Sequence, residues 1–77
     1  MDYTKKQGQY LSFIYYYTKL NRVAPAYFDF QKYFYANPAS VNGMIKTLVK
    51  KGFIKKEAGK ARSIQLLLSR EQIPDLD

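Results

Sequence analysis

The chain contains no cysteine, no histidine and no tryptophan. Without cysteine there is neither a disulfide framework nor a thiolate metal site, and without histidine the chain lacks the usual general base and the commonest zinc ligand. It also has no glycine-rich phosphate loop, and the carboxylates of Asp29 and Glu57 fall on separate predicted elements. We therefore expect no enzymatic activity, no metal, no cofactor and no small-molecule ligand.

Long apolar runs are missing as well. No stretch approaches the roughly 18 consecutive apolar residues of a membrane-spanning helix. The N-terminal residues Met1–Lys6 contain no apolar segment of the kind found in signal peptides. These two features predict a cytoplasmic protein with no membrane partner.

Aromatic residues are abundant, with eight Tyr and five Phe among 77 residues. A chain of this length has material for one small core only, and aromatic side chains bury a large area each. We therefore expect a single domain that folds without disulfide bonds or a structural metal ion.

Positive charge is concentrated in one part of the chain. Residues 1–68 carry 12 basic and 3 acidic side chains, a net charge of +9, whereas residues 69–77 carry one Arg and three acids, a net charge of −2. The segment Lys46–Arg62 alone holds seven basic residues and one acid. Clustering of this kind indicates a surface that binds a polyanion, although for each lysine taken singly ordinary solvation is the favoured interpretation.

The first predicted helix begins at Thr4, which has the capping-box spacing with Gln7, and continues to about Leu20. Its helical spacing predicts an inward set of Leu11, Ile14 and Tyr15, with Tyr10, Tyr17 and Thr18 as further candidates. Because Tyr15, Tyr16 and Tyr17 cover most of the helix circumference, we expect one or two of them to be exposed. A homodimer contact there is a hypothesis. Base stacking or a lipid surface would also suit these rings, but core packing is favoured.

A second helix is predicted over about Ala26 to Tyr35, after the connection that ends in Pro25. Phe30 and Phe34 are four residues apart and should face the core, with Tyr27 between the faces. The dense aromatic residues would also fit a β-strand.

A third helix has the clearest start, with Asn37 as N-cap, Pro38 at the first helical position and Ser40 at the third. It should run to Lys51, with Gly52 in the left-handed conformation that ends it. Its predicted core stripe is Val41, Ile45 and Leu48, with Met44 at the edge. The opposite face collects small, polar and basic residues: Ala39, Asn42, Gly43, Lys46, Thr47 and Lys50.

Two short strand-like segments follow the third helix, FIKKE at residues 53–57 and SIQLLL at residues 63–68. They bracket the sequence AGKAR, a five-residue turn that contains Gly59, which is typical of a β-hairpin. The fold class predicted is therefore mainly α with a small β-hairpin: three helices and a two-stranded wing, a winged helix-turn-helix over residues 1–68. Residues 69–77 are predicted to form an acidic C-terminal tail.

The chain resembles the N-terminal DNA-binding domain of LexA repressors over about Thr4 to Leu68. The similar stretches, in order, are TKKQ, VAP, NPASVN, IKTLVKKGFIKK and GKARSIQLL. The resemblance implies that the start of the third helix enters the major groove of double-stranded DNA and that the basic wing grips the backbone. Tyr35 stands near a glycine of the family pattern, and the family's Ser/Lys self-cleaving domain has no counterpart here, so we expect no self-cleavage.

Carried over by position, the candidates for base or groove contact are Asn37, Ser40, Asn42, Gly43 and Lys46. The basic side chains suited to neutralising phosphates are Lys46, Lys50, Lys51, Lys55, Lys56, Lys60 and Arg62.

The expected function is sequence-specific binding of double-stranded DNA by a repressor-like transcriptional regulator, acting as a homodimer or with a partner protein. The alternative is a winged-helix adaptor that binds proteins through its aromatic helices and acidic tail. RNA binding ranks third, because no RNA-module signature is present.

Overall fold

The computed structural model describes residues 2–77 and begins with a long helix, α1, over Lys5–Asn21. The Thr4 hydroxyl accepts a hydrogen bond from the Gln7 backbone N–H at 3.1 Å, and the Gln7 side chain accepts one from the Thr4 N–H at 2.9 Å. This reciprocal pair satisfies two N–H groups that the helix itself leaves free. The predicted capping box is confirmed.

The next two helices are short, α2 over Tyr27–Phe34 and α3 over Pro38–Lys50. The segment for which a strand was the alternative is therefore helical. Asn37 Oδ1 accepts a hydrogen bond from the Ser40 N–H at 2.8 Å, which confirms the predicted cap of α3. Gly52 follows the helix at φ 79°, the left-handed conformation predicted for it.

The hairpin is smaller than predicted. Strands β1, Ile54–Lys55, and β2, Gln65–Leu66, pair antiparallel, with Ile54 opposite Leu66 and Lys55 opposite Gln65. Ser63 shortens the ladder, because its hydroxyl accepts from the Glu57 N–H at 3.0 Å in place of a partner strand. The same hydroxyl donates to the Lys60 carbonyl oxygen at 2.9 Å. The turn of the hairpin is therefore held by the Ser63 side chain and not by additional backbone pairs between the strands.

The core lies where the three helices and the hairpin meet. The predicted stripe of α3, Val41, Ile45 and Leu48, is fully buried, and so is Phe30 of α2. Aromatic rings of α1 pack on those of α2, with Tyr10 stacked on Phe34 at a centroid distance of 4.3 Å. The density of aromatic residues in the first two helices is thus explained by ring packing between them.

The C-terminal segment, residues 69–77, packs along α1. It contains a single 3-10 turn, Arg70–Gln72, after which Ile73 is buried with 5% of its surface exposed. The buried Ser12 hydroxyl of α1 donates a hydrogen bond to the Pro74 carbonyl oxygen, and Gln9 bonds the backbone of both Asp75 and Asp77. We call these residues the C-terminal strap.

The strap, which contacts Ser12, and α2, which packs on Phe13, change the burial expected for α1. Leu11 and Ile14 are buried as predicted, but Ser12 and Phe13 are buried too, so the helix is covered on more than one side. The expectation that one or two of Tyr15, Tyr16 and Tyr17 are exposed is wrong, since all three are partly buried.

Arginine side chains cover parts of all three of these tyrosines. The Arg70 guanidinium of the strap lies 5.9 Å from the ring centroid of Tyr15 and 5.6 Å from that of Tyr16. Arg62 of the hairpin turn donates to the Tyr17 hydroxyl at 3.1 Å. A homodimer contact through this run stays a prediction. Within residues 2–77, no helix combines the length and apolar character needed to cross a membrane.

Candidate nucleic-acid interface

The outward face of α3 is open to solvent. Because Val41, Ile45 and Leu48 point into the core, the opposite side of the helix must point out. The exposed residues on and beside that side are Ala39, Ser40, Asn42, Gly43, Lys46 and Lys50. The small, polar and basic face predicted from the sequence is therefore present and uncovered.

Gly43 is not required by packing inside the protein. A Cβ atom built there would meet no heavy atom within 4 Å among the described residues. Glycine inside a helix lowers the stability of the helix by about 1 kcal/mol relative to alanine. No contact of Gly43 within residues 2–77 requires the absence of a side chain. A helix–helix contact within this chain therefore does not explain Gly43, whereas close approach of an external surface accounts for it.

The start of α3 is rigidly held. The cap engages Asn37 Oδ1, so the amide nitrogen is the part of that side chain available to donate to a ligand. Further along the helix, the Thr47 hydroxyl donates to the Gly43 carbonyl oxygen at 3.0 Å, which ties that flank of the face to the helix backbone. Asn42 and Lys46 lie between these two fixed points.

The hairpin adjoins this face of α3. Lys46, Val49 and Lys50 of α3 line an open depression of about 300 Å³ together with Lys56 and Ala58 of the hairpin. We call this depression the α3–hairpin cleft. The cleft thus brings together three lysines from two elements, and Glu57 is the single acid between residues 46 and 62.

Lys56 is oriented by an aromatic ring of α2. Its ammonium nitrogen lies 5.6 Å from the centroid of the Tyr27 ring, within the range of a cation–π contact. Lys55 and Lys60 are exposed on the same hairpin. Lys60 pairs with Glu57 at 3.5 Å, but both side chains are about two-thirds exposed, at 66% and 69%. Solvent screens such a pair strongly, so the Lys60 ammonium stays available to another anion.

Two basic residues of the predicted set are engaged elsewhere. The Lys51 ammonium donates to the Asp2 carbonyl oxygen at 2.6 Å and lies over the Phe53 ring, away from the cleft. The Arg62 guanidinium donates to the Tyr17 hydroxyl, the Ala24 carbonyl oxygen and Asp29, at 3.1 to 3.2 Å. The hydrogen bond to Tyr17, with a further contribution from Asp29, raises the pKa of Arg62. Arg62 fastens the hairpin turn to α1 and α2.

One residue of this region was not among the predicted contacts. Tyr35, in the turn between α2 and α3, is 97% exposed and has a left-handed backbone, with φ 52°. The sequence held a signal for it, since a helix that ends near Tyr35 and another that is capped by Asn37 leave room only for a sharp turn. The orientation of Lys56 by Tyr27 was also missed, because the two residues are far apart in sequence.

A scan against protein-family models finds no match to the chain, and a search of curated proteins finds no significant match. The function is therefore inferred from the chain's own residues and their geometry.

Proposed function

We propose that the chain binds double-stranded DNA as a winged helix-turn-helix of the LexA-like kind. In this proposal α2 and α3 form the helix-turn-helix, the N-terminal half of α3 enters the major groove, and the hairpin is the wing that lies on the sugar-phosphate backbone. The order of the elements and the short turn between α2 and α3 support this assignment, together with the resemblance in sequence.

The observation that favours DNA most is the continuity of the α3–hairpin cleft with the exposed face of α3. A helix with a small residue at its outer surface can lie deep in the major groove, which is wide enough for a helix. Lys50 and Lys56 of the cleft then lie on one side of that helix, where the phosphates flank the groove. Each phosphate that they neutralise releases condensed counterions, which favours binding at low salt.

The residues divide into two roles under this proposal. Asn42 and Lys46 read base edges, since an amide pairs bidentately with adenine and an ammonium donates to guanine, and each such contact is worth about 1 to 3 kcal/mol of discrimination. Asn37 and Ser40 approach the groove at the start of α3, and Gly43 permits the close approach. The residues assigned to phosphate contact without sequence readout are Lys50, Lys55, Lys56 and Lys60. Arg62 positions the wing.

A transcriptional regulator of the repressor type is the proposed biological role. A single short recognition helix reads few base pairs, so useful specificity requires two copies on paired half-sites or a partner protein. Selection of bound oligonucleotides from a random pool tests both points. A palindromic motif is expected for two copies, whereas enrichment of no motif would show binding without sequence specificity and contradict the assignment of base contacts.

Fluorescence anisotropy with a labelled duplex at several salt concentrations tests DNA binding itself. We expect Lys46→Glu, Lys50→Glu and Lys60→Glu each to weaken binding, most strongly at low salt, where charges are least screened. Lys19→Glu is the matched control, because Lys19 is exposed on α1 and lines a different depression. Absence of duplex binding at low salt, or an equal effect of Lys19→Glu and the three cleft and wing variants, would contradict the proposal.

A protein-binding adaptor is the second candidate. It is favoured by large apolar side chains on the other helices, since Leu20 is 79% exposed and Phe28 is 62% exposed. This candidate predicts no salt-dependent duplex binding and no effect of the lysine reversals. The anisotropy titration therefore distinguishes the two functions.

A further inference from the structure

Tyr35 combines a backbone conformation that tyrosine disfavours with a side chain that the fold does not use. Its φ of 52° and ψ of 43° are left-handed, a conformation in which the Cβ atom comes too close to the following carbonyl oxygen. With 97% of its surface exposed, the ring contributes almost nothing to the core in return. Glycine or asparagine would meet the needs of this turn better.

The turn around Tyr35 is fixed on both sides. The N–H of Tyr35 and the N–H of Ala36 both donate to the Gln31 carbonyl oxygen, the second at 3.1 Å, which closes the end of α2. Asn37 then caps α3 through Ser40. The phenol therefore projects from a turn that is hydrogen-bonded on both sides, two residues before the cap of α3.

We propose that Tyr35 is a backbone-contacting residue of the DNA complex: its phenol hydroxyl donates a hydrogen bond to a phosphate oxygen at the edge of the major groove. This inference rests on the proposed function. In helix-turn-helix docking the second helix lies in the groove while the first crosses the backbone, so the turn between them lies where base edges give way to phosphates. Tyrosine is one of the side chains that commonly donate to phosphate oxygens.

A neutral donor gives this contact a signature that distinguishes it from the lysines. The phenol displaces no counterion, so its loss should lower the affinity equally at every salt concentration. Removal of a phosphate-contacting lysine instead reduces the slope of log affinity against log salt by about 0.9. The two kinds of variant can therefore be told apart in the same titration.

The experiment measures duplex affinity and thermal stability for Tyr35→Phe, Tyr35→Gly and Tyr35→Asn, with Lys50→Gln for comparison. We expect Tyr35→Phe to weaken binding about fivefold, the usual value of one hydrogen bond, with an unchanged salt slope. Tyr35→Gly and Tyr35→Asn should weaken binding at least as much, while thermal stability stays equal or rises because both residues tolerate the left-handed turn. Lys50→Gln should reduce the slope by about 0.9, because Lys50 is assigned to phosphate contact.

The outcomes separate this inference from the proposed function. If the unmodified chain binds duplex and Lys50→Gln weakens it, but the three Tyr35 variants bind normally, the inference is overturned while DNA binding stands. Loss of affinity in Tyr35→Gly and Tyr35→Asn but not in Tyr35→Phe would overturn the hydroxyl–phosphate contact. If the unmodified chain binds no duplex, the proposed function fails and this inference fails with it.

Discussion

Asp29 and Arg62 join the start of α2 to the turn of the hairpin, with 3.2 Å between Asp29 Oδ2 and Arg62 Nη1. The same carboxylate oxygen accepts the Ala26 backbone N–H at 2.7 Å, so one atom both caps α2 and anchors the turn. Arg62 itself has a left-handed backbone, with φ 53°. The position of the hairpin beside α3 therefore depends on a residue of α2.

Substitution of that carboxylate should lower stability through the cap. We expect Asp29→Ala to lower the free energy of unfolding by about 1 kcal/mol, the usual cost of losing a side-chain cap at a helix start, measured by urea denaturation. The ion pair adds little, because 44% of the Arg62 side chain is exposed to screening solvent. The control is Asp75→Ala. Asp75 also pairs with an arginine, Arg70, but its side chain is 91% exposed and does not cap any of the three α-helices. Equal effects of the two variants would contradict the capping role.

The features that the sequence predicted correctly are local ones. The caps at Thr4 and Asn37 bond residues three positions away, and the stripe of α3 follows from helix periodicity alone. The exposed face of α3 was predictable for the same reason, since a helix with one buried stripe must expose its opposite side.

The features that were missed depend on contacts between distant residues. Arg62 was assigned to DNA by its charge, but its neighbours Tyr17 and Asp29 belong to α1 and α2, which no periodicity brings beside the hairpin. Burial of Phe13 and the partial burial of Tyr16 likewise depend on partners that lie far away in sequence, including Arg70 of the strap. The strap has no periodic pattern of its own, and only the assembled fold shows where it packs.

The strap should therefore contribute to stability as a part of the core. We expect Ile73→Ala to lower the free energy of unfolding by about 2 to 4 kcal/mol, as for other large aliphatic residues truncated in a core. The measurement is urea denaturation followed by circular dichroism. Leu67→Ala is the matched control, because 48% of Leu67 is exposed and its loss leaves no enclosed cavity. A cost for Ile73→Ala no larger than that of the control would show that the strap is detached from the domain in solution.

The buried phenol of Tyr10 should make stability fall in alkaline solution. Burial raises the pKa of Tyr10 above its ordinary value, whereas in the unfolded chain a tyrosine ionises near about pH 10. The unfolded state then loses this proton first, so the stabilisation is complete below about pH 10 and is lost as the pH rises through the folded-state pKa.

Denaturation at a series of pH values between about 8.5 and 11 tests this linkage. We expect Tyr10→Phe to show a shallower decline in the free energy of unfolding than the unmodified chain. Tyr35→Phe is the control, because the Tyr35 phenol is in contact with water in the folded state. Parallel declines for all three proteins would contradict a role for burial at Tyr10.

Gly43 offers the sharpest separation of folding from binding. Its Cβ position is open within the described structure, so Gly43→Ala should raise the free energy of unfolding by about 1 kcal/mol through helix propensity. If α3 lies in the groove with its backbone close to the bases, the added methyl group occupies the space of the DNA and duplex affinity should fall. A variant that is more stable but binds more weakly is the expected result.

Gly52→Ala is the matched control for that experiment, because it makes the same chemical change at the other end of α3. Gly52 has φ 79°, so alanine there is strained, and we expect a loss of about 1 kcal/mol in stability with little change in duplex affinity of the folded protein. Thermal melts and anisotropy titrations on both variants give the comparison. If Gly43→Ala binds duplex as tightly as the unmodified chain, the outer face of α3 does not approach DNA closely, and recognition must involve longer side chains such as Lys46 and Asn42 that reach the bases from a shallower helix.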